Sequence, residues 1–345
     1  MESISLTRPD DFHLHLRDDA ALASVVGHSA RQFARAIVMP NLKSPILTVA
    51  QAQAYRQRIL SCLSDDDDFQ PLMTVYLTDN TPLDEISRVA EDEDVYAVKY
   101  YPAGATTNSD QGVTKMGKVY SLLEKMSELS VPLLVHGEVT DVDVDVFDRE
   151  GVFIDKVLDP LLRKFTELRV VFEHITTKNA AEYVKESGEN LAATLTPQHL
   201  MLNRNAIFES GLRPHHYCLP VLKREVHRRA LLDVIASGHT RFFLGTDSAP
   251  HARGEKENAC GCAGIYSASN AIQWYATVFD ELGELDKLEA FASHNGADFY
   301  GLQRNSGKIT LRKSSWTVAD KLEFADSEII PFKAGEICPW ELVST

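Results

Sequence analysis

The sequence predicts an α/β chain folded as a (β/α)8 (TIM) barrel, and three observations carry that reading. Eight short runs are apolar, β-branched or aromatic with little alternation, as parallel strands covered on both faces require. The segments between them place apolar residues at a helical period. The length of 345 residues accommodates one such barrel, which typically needs about 250. Strand and helix alternating in this way leave a doubly wound open sheet as the other architecture.

The elements follow in order. The first strand is Phe12–Leu16 (FHLHL), followed by a helix over Asp18–Phe33, where an acidic start precedes Leu22, Val25, Val26 and Phe33. Ala36–Pro40 (AIVMP) is the second strand and Val49–Leu60 its helix. Pro71–Leu77 (PLMTVYL) and Pro82–Ala90 form the third pair, Val95–Tyr100 (VYAVKY) and Lys115–Leu129 the fourth. Val131–His136 (VPLLVH) with Asp155–Phe165 and Arg169–Ile175 (RVVFEHI) with Lys178–Ser187 continue the pattern. Leu191–Thr196 (LAATLT) precedes the helix Arg224–Ser237, and Arg241–Thr246 (RFFLGT) is the eighth strand, with helices over Ser267–Leu282 and Leu285–Leu302 behind it.

Two segments exceed a bare barrel. Residues 197–222 make a long, polar, His-rich connection, and residues 303–345 make a C-terminal extension in which GKITL, WTVADKLEF and EIIPF read as short strands. Residues 1–345 are thus expected to be one barrel domain with that extension; no repeat or Pro/Gly linker divides them. The run Asp65–Asp68 reads as a solvated turn, not a metal site.

Hydrophobic residues at 44% and charged residues at 25% are ordinary for a globular protein. A net charge of −15 repels phosphate, which disfavours nucleic acid and anionic membranes as partners. The N-terminus lacks a basic and an apolar region, and no stretch reaches the roughly 18 apolar residues of a membrane span. The expectation is a cytoplasmic protein. Five cysteines, with Cys260 and Cys262 as a lone C-x-C, make neither a disulfide framework nor a structural zinc site.

Polar residues interrupt the apolar runs at matching places. His13 and His15 fall in the first strand, Lys99 in the fourth, His136 at the end of the fifth, His174 at the end of the sixth, and Asp247 just past the eighth. The C-terminal rim of a barrel is where active sites sit. Side chains at i and i+2 on a strand share a face, so His13 and His15 can share one metal with Asp247, and His136 and His174 can hold a second. Any one of these histidines alone would be a hydrogen-bonded core residue, and Lys99 alone would snorkel or pair with a carboxylate. As an ammonium, Lys99 would be repelled by metals; as an N-carboxylated lysine it would offer two anionic oxygens to bridge them. Six such residues at matching strand ends point to a metal centre.

The segments D-F-H-L-H-L-R-D (Asp11–Asp18), V-M-P-N (Val38–Asn41), KYYPAGATTNS with Lys99, LLVHGE (Leu133–Glu138), VFEHITT (Val171–Thr177), TPQHL and GTDSAPH (Gly245–His251) resemble the dihydroorotases of the amidohydrolase superfamily. The resemblance runs along essentially the whole chain and is nearest the shorter, monofunctional bacterial type. H-x-H with a late Asp marks only the superfamily; the other segments are more diagnostic. The fold implied is a barrel of the metal-dependent hydrolase type.

The resemblance implies two zinc ions, His13, His15 and Asp247 binding one, His136 and His174 the other, with carboxylated Lys99 and a hydroxide between them. The implied reaction is reversible cyclisation of N-carbamoyl-L-aspartate to L-dihydroorotate in de novo pyrimidine synthesis. The bridging hydroxide is the expected nucleophile and Asp247 the general acid/base. Two zinc ions, the carbamate, Asp247 and hydroxide sum to about one net positive charge, which suits an anionic substrate. Arg17, two residues beyond His15 and expected on the same strand face, is placed to clamp the substrate carboxylate, the alternative being a salt bridge with Asp18 or Asp19. The resemblance adds Asn41 and His251 to that clamp and assigns backbone groups of Leu219 and Ala263 to the ring. Pro102–Val113 alone reads as a mobile loop; the resemblance makes it a lid with Thr106 and Thr107 as contacts. Cys218, Cys260 and Cys262 are expected near the rim without a catalytic role. A homodimer acting on a small molecule is what the family implies. The rivals are another cyclic-amide hydrolase, such as a hydantoinase or dihydropyrimidinase, and a non-catalytic scaffold that keeps the fold.

Overall fold

The computed structural model describes residues 2–65 and 67–344. Among the described residues thirteen strands form three sheets: β1 (Ser3–Thr7), β2 (Asp10–Leu14), β3 (Arg35–Val38), β4 (Gln70–Tyr76), β5 (Val95–Tyr100), β6 (Leu133–His136), β7 (Val170–Glu173), β8 (Leu191–Leu195), β9 (Phe242–Leu244), β10 (Lys308–Thr317), β11 (Leu322–Phe324), β12 (Ser327–Ile329) and β13 (Ile337–Ser344). Strands β2 to β9 are parallel and lie in sequence order. Asp247 N donates to His13 O (2.9 Å) and His15 N to Ser248 O (3.2 Å), joining the last strand to the first. That closure makes the sheet a barrel and excludes the open alternative.

The barrel interior is filled from all eight strands. Phe12, Ile37, Leu72, Ala97, Leu134, Val171, Ala192 and Phe243 form one buried layer, and Tyr300 stacks on Phe12 with ring centroids 5.1 Å apart. The larger apolar cluster lies outside the barrel wall, under the helices. Side chains two residues further along three of these strands, Lys99, His136 and Glu173, are buried and belong to the next layer toward the mouth.

β2 departs from simple alternation. Asp11 pairs with Ala36 and Leu14 with Val38, so three steps on β2 oppose two on β3. This bulge switches the parity of the strand. Phe12 belongs to the interior layer, Leu14 to the outer cluster, and His13 and His15 both reach the mouth.

Several boundaries differ from those expected. β1 was not anticipated; it pairs with β10 from Ser3↔Arg312 to Thr7↔Lys308, and β13 completes that sheet. The alternating Ile4 and Leu6 are its sequence signal, but the partner lies some three hundred residues away. The helix expected from Asp155 begins at Arg149 and contains a π turn at Ile154–Leu158. The segment expected as one helix over Leu285–Leu302 is a 3-10 turn, a π turn at Ala290–His294 and a helix ending at Tyr300. The helix expected from Ser267 starts at Ala271, because Ser267 N and Ala268 N donate instead to Ser248 Oγ (3.1 and 2.9 Å). The 197–222 connection opens with a short helix, Pro197–Met201, capped by Thr196. Asp66 of the acidic run lies outside the described residues; Asp67 accepts hydrogen bonds from Ser64 N and Oγ.

Candidate active site

The residues expected at the strand ends converge on the C-terminal mouth. His13 Nε2 lies 3.3 Å from His15 Nε2, and Asp247 Oδ1 lies 3.1 Å from His15 Nε2 and 3.4 Å from His13 Nε2. The rings of His13 and His174, and of His174 and His136, are each 4.9 Å apart between centroids. Lys99 is completely buried; its ammonium lies 4.8 Å from the Tyr101 ring centroid and contacts the Glu173 carboxylate. An unmodified buried lysine requires such an ion pair.

Two carboxylates in this layer received no role from the sequence. Glu173 Oε2 sits 2.9 Å from His13 Nδ1, and Glu138 Oε2 sits 2.9 Å from His136 Nε2. Each was visible as an acid inside or just past an apolar run, in VFEH and LVHGE.

The electrostatics hold Asp247, His15 and His174 in forms able to bind a metal. Burial opposes the charge on Asp247, but hydrogen bonds with His13 and His15 outweigh it and hold the carboxyl well below its usual range. Burial pushes His15 down to about 4 and His174 well below the ordinary histidine value, leaving neutral imidazoles with a free lone pair. His13 is the exception: burial opposes its charge, but Glu173 and Asp247 together raise it. Burial also lowers Lys99, against the pull of Glu173.

The donor set fits a metal. One ligand atom each from His13, His15 and Asp247 lies within 4.8 Å of the others, and the same holds for His13, Glu173 and His174. His174 Nδ1 is buried with no hydrogen-bond partner, an orphan that a cation would satisfy. His136 belongs to neither group; its Nε2 engages Glu138 instead.

The residues expected to bind substrate adjoin this cluster. One cavity is lined by His13, His15, His136, His174 and Asp247, and also by Arg17, Asn41, Thr106, Thr107, Leu219 and Ala263. Strand alternation is not what brings Arg17 there: β2 ends at Leu14 and Arg17 follows in a turn at φ 62°. Its Nε donates to Pro250 O (2.8 Å), and its Nη2 lies 2.9 Å from His251 Nε2. Burial and the neighbouring guanidinium push His251 down to about 2, so it is neutral, and its Nε2 also lies 3.1 Å from Ala263 O. The expected alternative, a salt bridge with Asp18 or Asp19, does not form; Asp18 pairs with Arg58.

The segment 102–113 lies across the mouth. Asn41 Nδ2 donates to Thr107 O (3.0 Å), Asn108 Nδ2 to Asn41 O (3.0 Å), and Thr107 Oγ1 to Ala263 O (3.4 Å). An outer cavity shares Arg17 and Thr107 and is walled by Lys43, His251, Cys262 and, from the β11–β12 hairpin, Phe324. All five cysteines are free thiols. Burial pushes Cys218 up to about 12, which removes its nucleophilic character. Among the described residues no helix is long and apolar enough to cross a membrane.

The profile of the amidohydrolase family matches residues 10–338, which fixes the class. A dihydroorotase from Laribacter hongkongensis is 62% identical over 343 residues, with 99% of each chain covered. Among solved structures, the Saccharomyces cerevisiae dihydroorotase in complex with 5-fluoroorotic acid superposes with a TM-score of 0.91 at 32% identity, covering 99% of both chains. The Campylobacter jejuni dihydroorotase gives 0.90 at 36% identity, covering 99% of this chain and 97% of its own. The chain belongs to the dihydroorotases of the amidohydrolase family, hydrolases that act on a cyclic amide.

Proposed function

We propose that the protein interconverts N-carbamoyl-L-aspartate and L-dihydroorotate, with water released on cyclisation, in de novo pyrimidine (UMP) synthesis. His13, His15 and Asp247 would hold one zinc ion, His136 and His174 a second, with N-carboxylated Lys99 shared between them. When bound, zinc supplies Lewis acidity that brings the pKa of water toward neutrality and polarises a carbonyl. The remaining steps belong to the chain.

In ring opening, Asp247 accepts a proton from the attacking water and delivers it to the departing ring nitrogen. In cyclisation it removes that proton from the carbamoyl nitrogen and returns it to the leaving water. The Asp247 carboxyl is held well below the usual range, which keeps it ionised. Arg17, Asn41 and His251 would clamp the ring carboxylate, while backbone groups of Leu219 and Ala263 hold the amide edge. Thr106 and Thr107 would close the segment 102–113 over the substrate and exclude water.

The observation that carries this reading is that the imidazole–carboxylate cluster and the Arg17–Asn41 pair line one cavity. Neutral cyclic amides have no group for that guanidinium. The test is turnover of L-dihydroorotate by zinc-replete protein, with dihydrouracil and hydantoin alongside. Turnover of dihydroorotate alone is expected. Preference for the neutral rings would move the protein to hydantoinase chemistry, and no turnover of any would make it a scaffold. The reading includes a cytoplasmic homodimer, which cell fractionation and sedimentation of the purified protein check.

A further inference from the structure

The seam where the barrel closes is also where one set of metal ligands sits. β9 and β2 share no paired ladder like those joining the other strands; an isolated bridge at Leu14–Ser248 and the backbone bonds of His13, His15, Asp247 and Ser248 connect them. On one side of the seam stands the bulge that turns both histidines to the mouth. On the other, Asp247 follows β9 by three residues.

A single side chain ties these features together. The Asp11 carboxylate is completely buried. Its Oδ1 accepts from His13 N (3.1 Å), across the bulge, and from Thr246 N (2.8 Å), across the seam; its Oδ2 accepts from Thr246 Oγ1 (2.6 Å). Thr246 Oγ1 in turn accepts from Ser248 N (3.0 Å), so the network brackets Asp247 on both sides. Asp11 has no ion-pair partner among the described residues and does not line the cavity. A buried carboxylate without a counter-charge is costly, and it is kept here at the one place where two ligand-bearing segments must be spaced.

We infer that Asp11 is a positioning residue: it holds the β2 bulge against the Thr246–Ser248 turn and thereby sets the distance of His13 and His15 from Asp247. The inference rests on the function proposed above, since it supposes that these three residues bind a metal and that Asp247 moves a proton. Hydrogen bonds to the residues that orient metal ligands commonly control affinity by 10- to 100-fold. A ligand set held at the wrong spacing also misaligns the proton carrier, which affects kcat and leaves the carboxylate clamp intact.

The experiment is zinc binding by chelator competition, with metal counts on the purified full chain, for wild type, Asp11→Ala, Asp11→Asn and Thr246→Val. Asp11→Ala is expected to weaken one of two zinc sites by about 10- to 100-fold. At saturating zinc its kcat should fall while KM for dihydroorotate holds. Asp11→Asn retains an oxygen for both amides and should restore most of the zinc affinity. Thr246→Val removes one hydroxyl contact and should shift affinity in the same direction by a smaller factor, which keeps the test open if Asp11→Ala does not fold. Folded variants with wild-type zinc affinity and kcat would overturn the inference. Wild-type protein that binds no zinc would overturn the function beneath it, and that result is read without any variant.

Discussion

Replacing Arg17 by Met separates substrate recognition from metal binding. Of the five N–H donors on a guanidinium, the structure commits one at Nε to Pro250 O and one at Nη2 to His251. Three remain, and a bidentate carboxylate takes two of them. Hydrogen bonds to charged groups contribute about 1.5–3 kcal/mol each, so the substitution removes about 3–6 kcal/mol of binding. At about 1.4 kcal/mol per tenfold, kcat/KM for dihydroorotate should fall by roughly 10²- to 10⁴-fold. The contact is the same in the ground and transition states, so the loss should appear mainly in KM. Met preserves the bulk of the side-chain stem and leaves His13, His15 and Asp247 untouched. The assay is initial rates over a range of dihydroorotate concentrations, with dihydrouracil in parallel and the zinc content of each preparation measured. A loss of zinc would refute the reasoning, as would an equal fall with the neutral ring.

The double variant Thr106→Ala/Thr107→Ala should lower kcat/KM about tenfold or more by loosening the segment across the mouth; unchanged kcat and KM would remove its role as a lid. Gly137→Ala would put a Cβ 2.0 Å from Phe172 Cε2 in the barrel wall. It should destabilise the fold by about 1–3 kcal/mol and, by displacing the adjacent His136, lower zinc content; an unchanged denaturation midpoint would contradict that packing. Lys118, and then the Thr114 hydroxyl, hold Asp79 down to about 2, and Thr114 closes the end of the mouth segment. A carboxyl depressed in the folded state stabilises above its unfolded value of about 3.9, and that stabilisation is lost as pH falls toward 2. The melting-temperature gap between wild type and Asp79→Asn should therefore be widest near neutrality and close on acidification; a gap independent of pH would show that the ion pair contributes nothing.

The eight barrel strands were legible because each is a local, doubly buried apolar run, and the candidate ligands because each falls within or just past such a run. In the sheet of β1, β10 and β13 only β10 was legible in part, through GKITL, since the pairing joins residues near opposite ends of the chain. The composite helices were not, because a π turn within 154–158 or 290–294 leaves no mark on an apolar period this short. Glu173 and Glu138 stood in quoted motifs, but nothing local says that an acid beside a histidine will turn inward with it.

What the alternation rule cannot supply is how adjacent residues come to share one mouth. Glu173 and His174 are consecutive, so on a regular strand they would face opposite ways. His174 instead takes φ 41°, Asp247 takes φ 45° and Arg17 takes φ 62°, a left-handed backbone that non-glycine residues adopt at a cost. Each is pinned from outside: His174 N donates to Thr194 Oγ1 (2.7 Å), Asp247 N to His13 O (2.9 Å), and Arg17 O accepts from Tyr55 OH. The bulge in β2 does for His13 and His15 what these turns do for the others. Four breaks in regular backbone, each held by a specific hydrogen bond, thus aim side chains that strand geometry alone would scatter over both faces of the wall. The site is specified by the departures from the barrel as much as by the barrel, and three of the four residues that hold those departures (Asp11, Tyr55 and Thr194) lie outside the cavity lining, while the fourth, His13, is itself part of it.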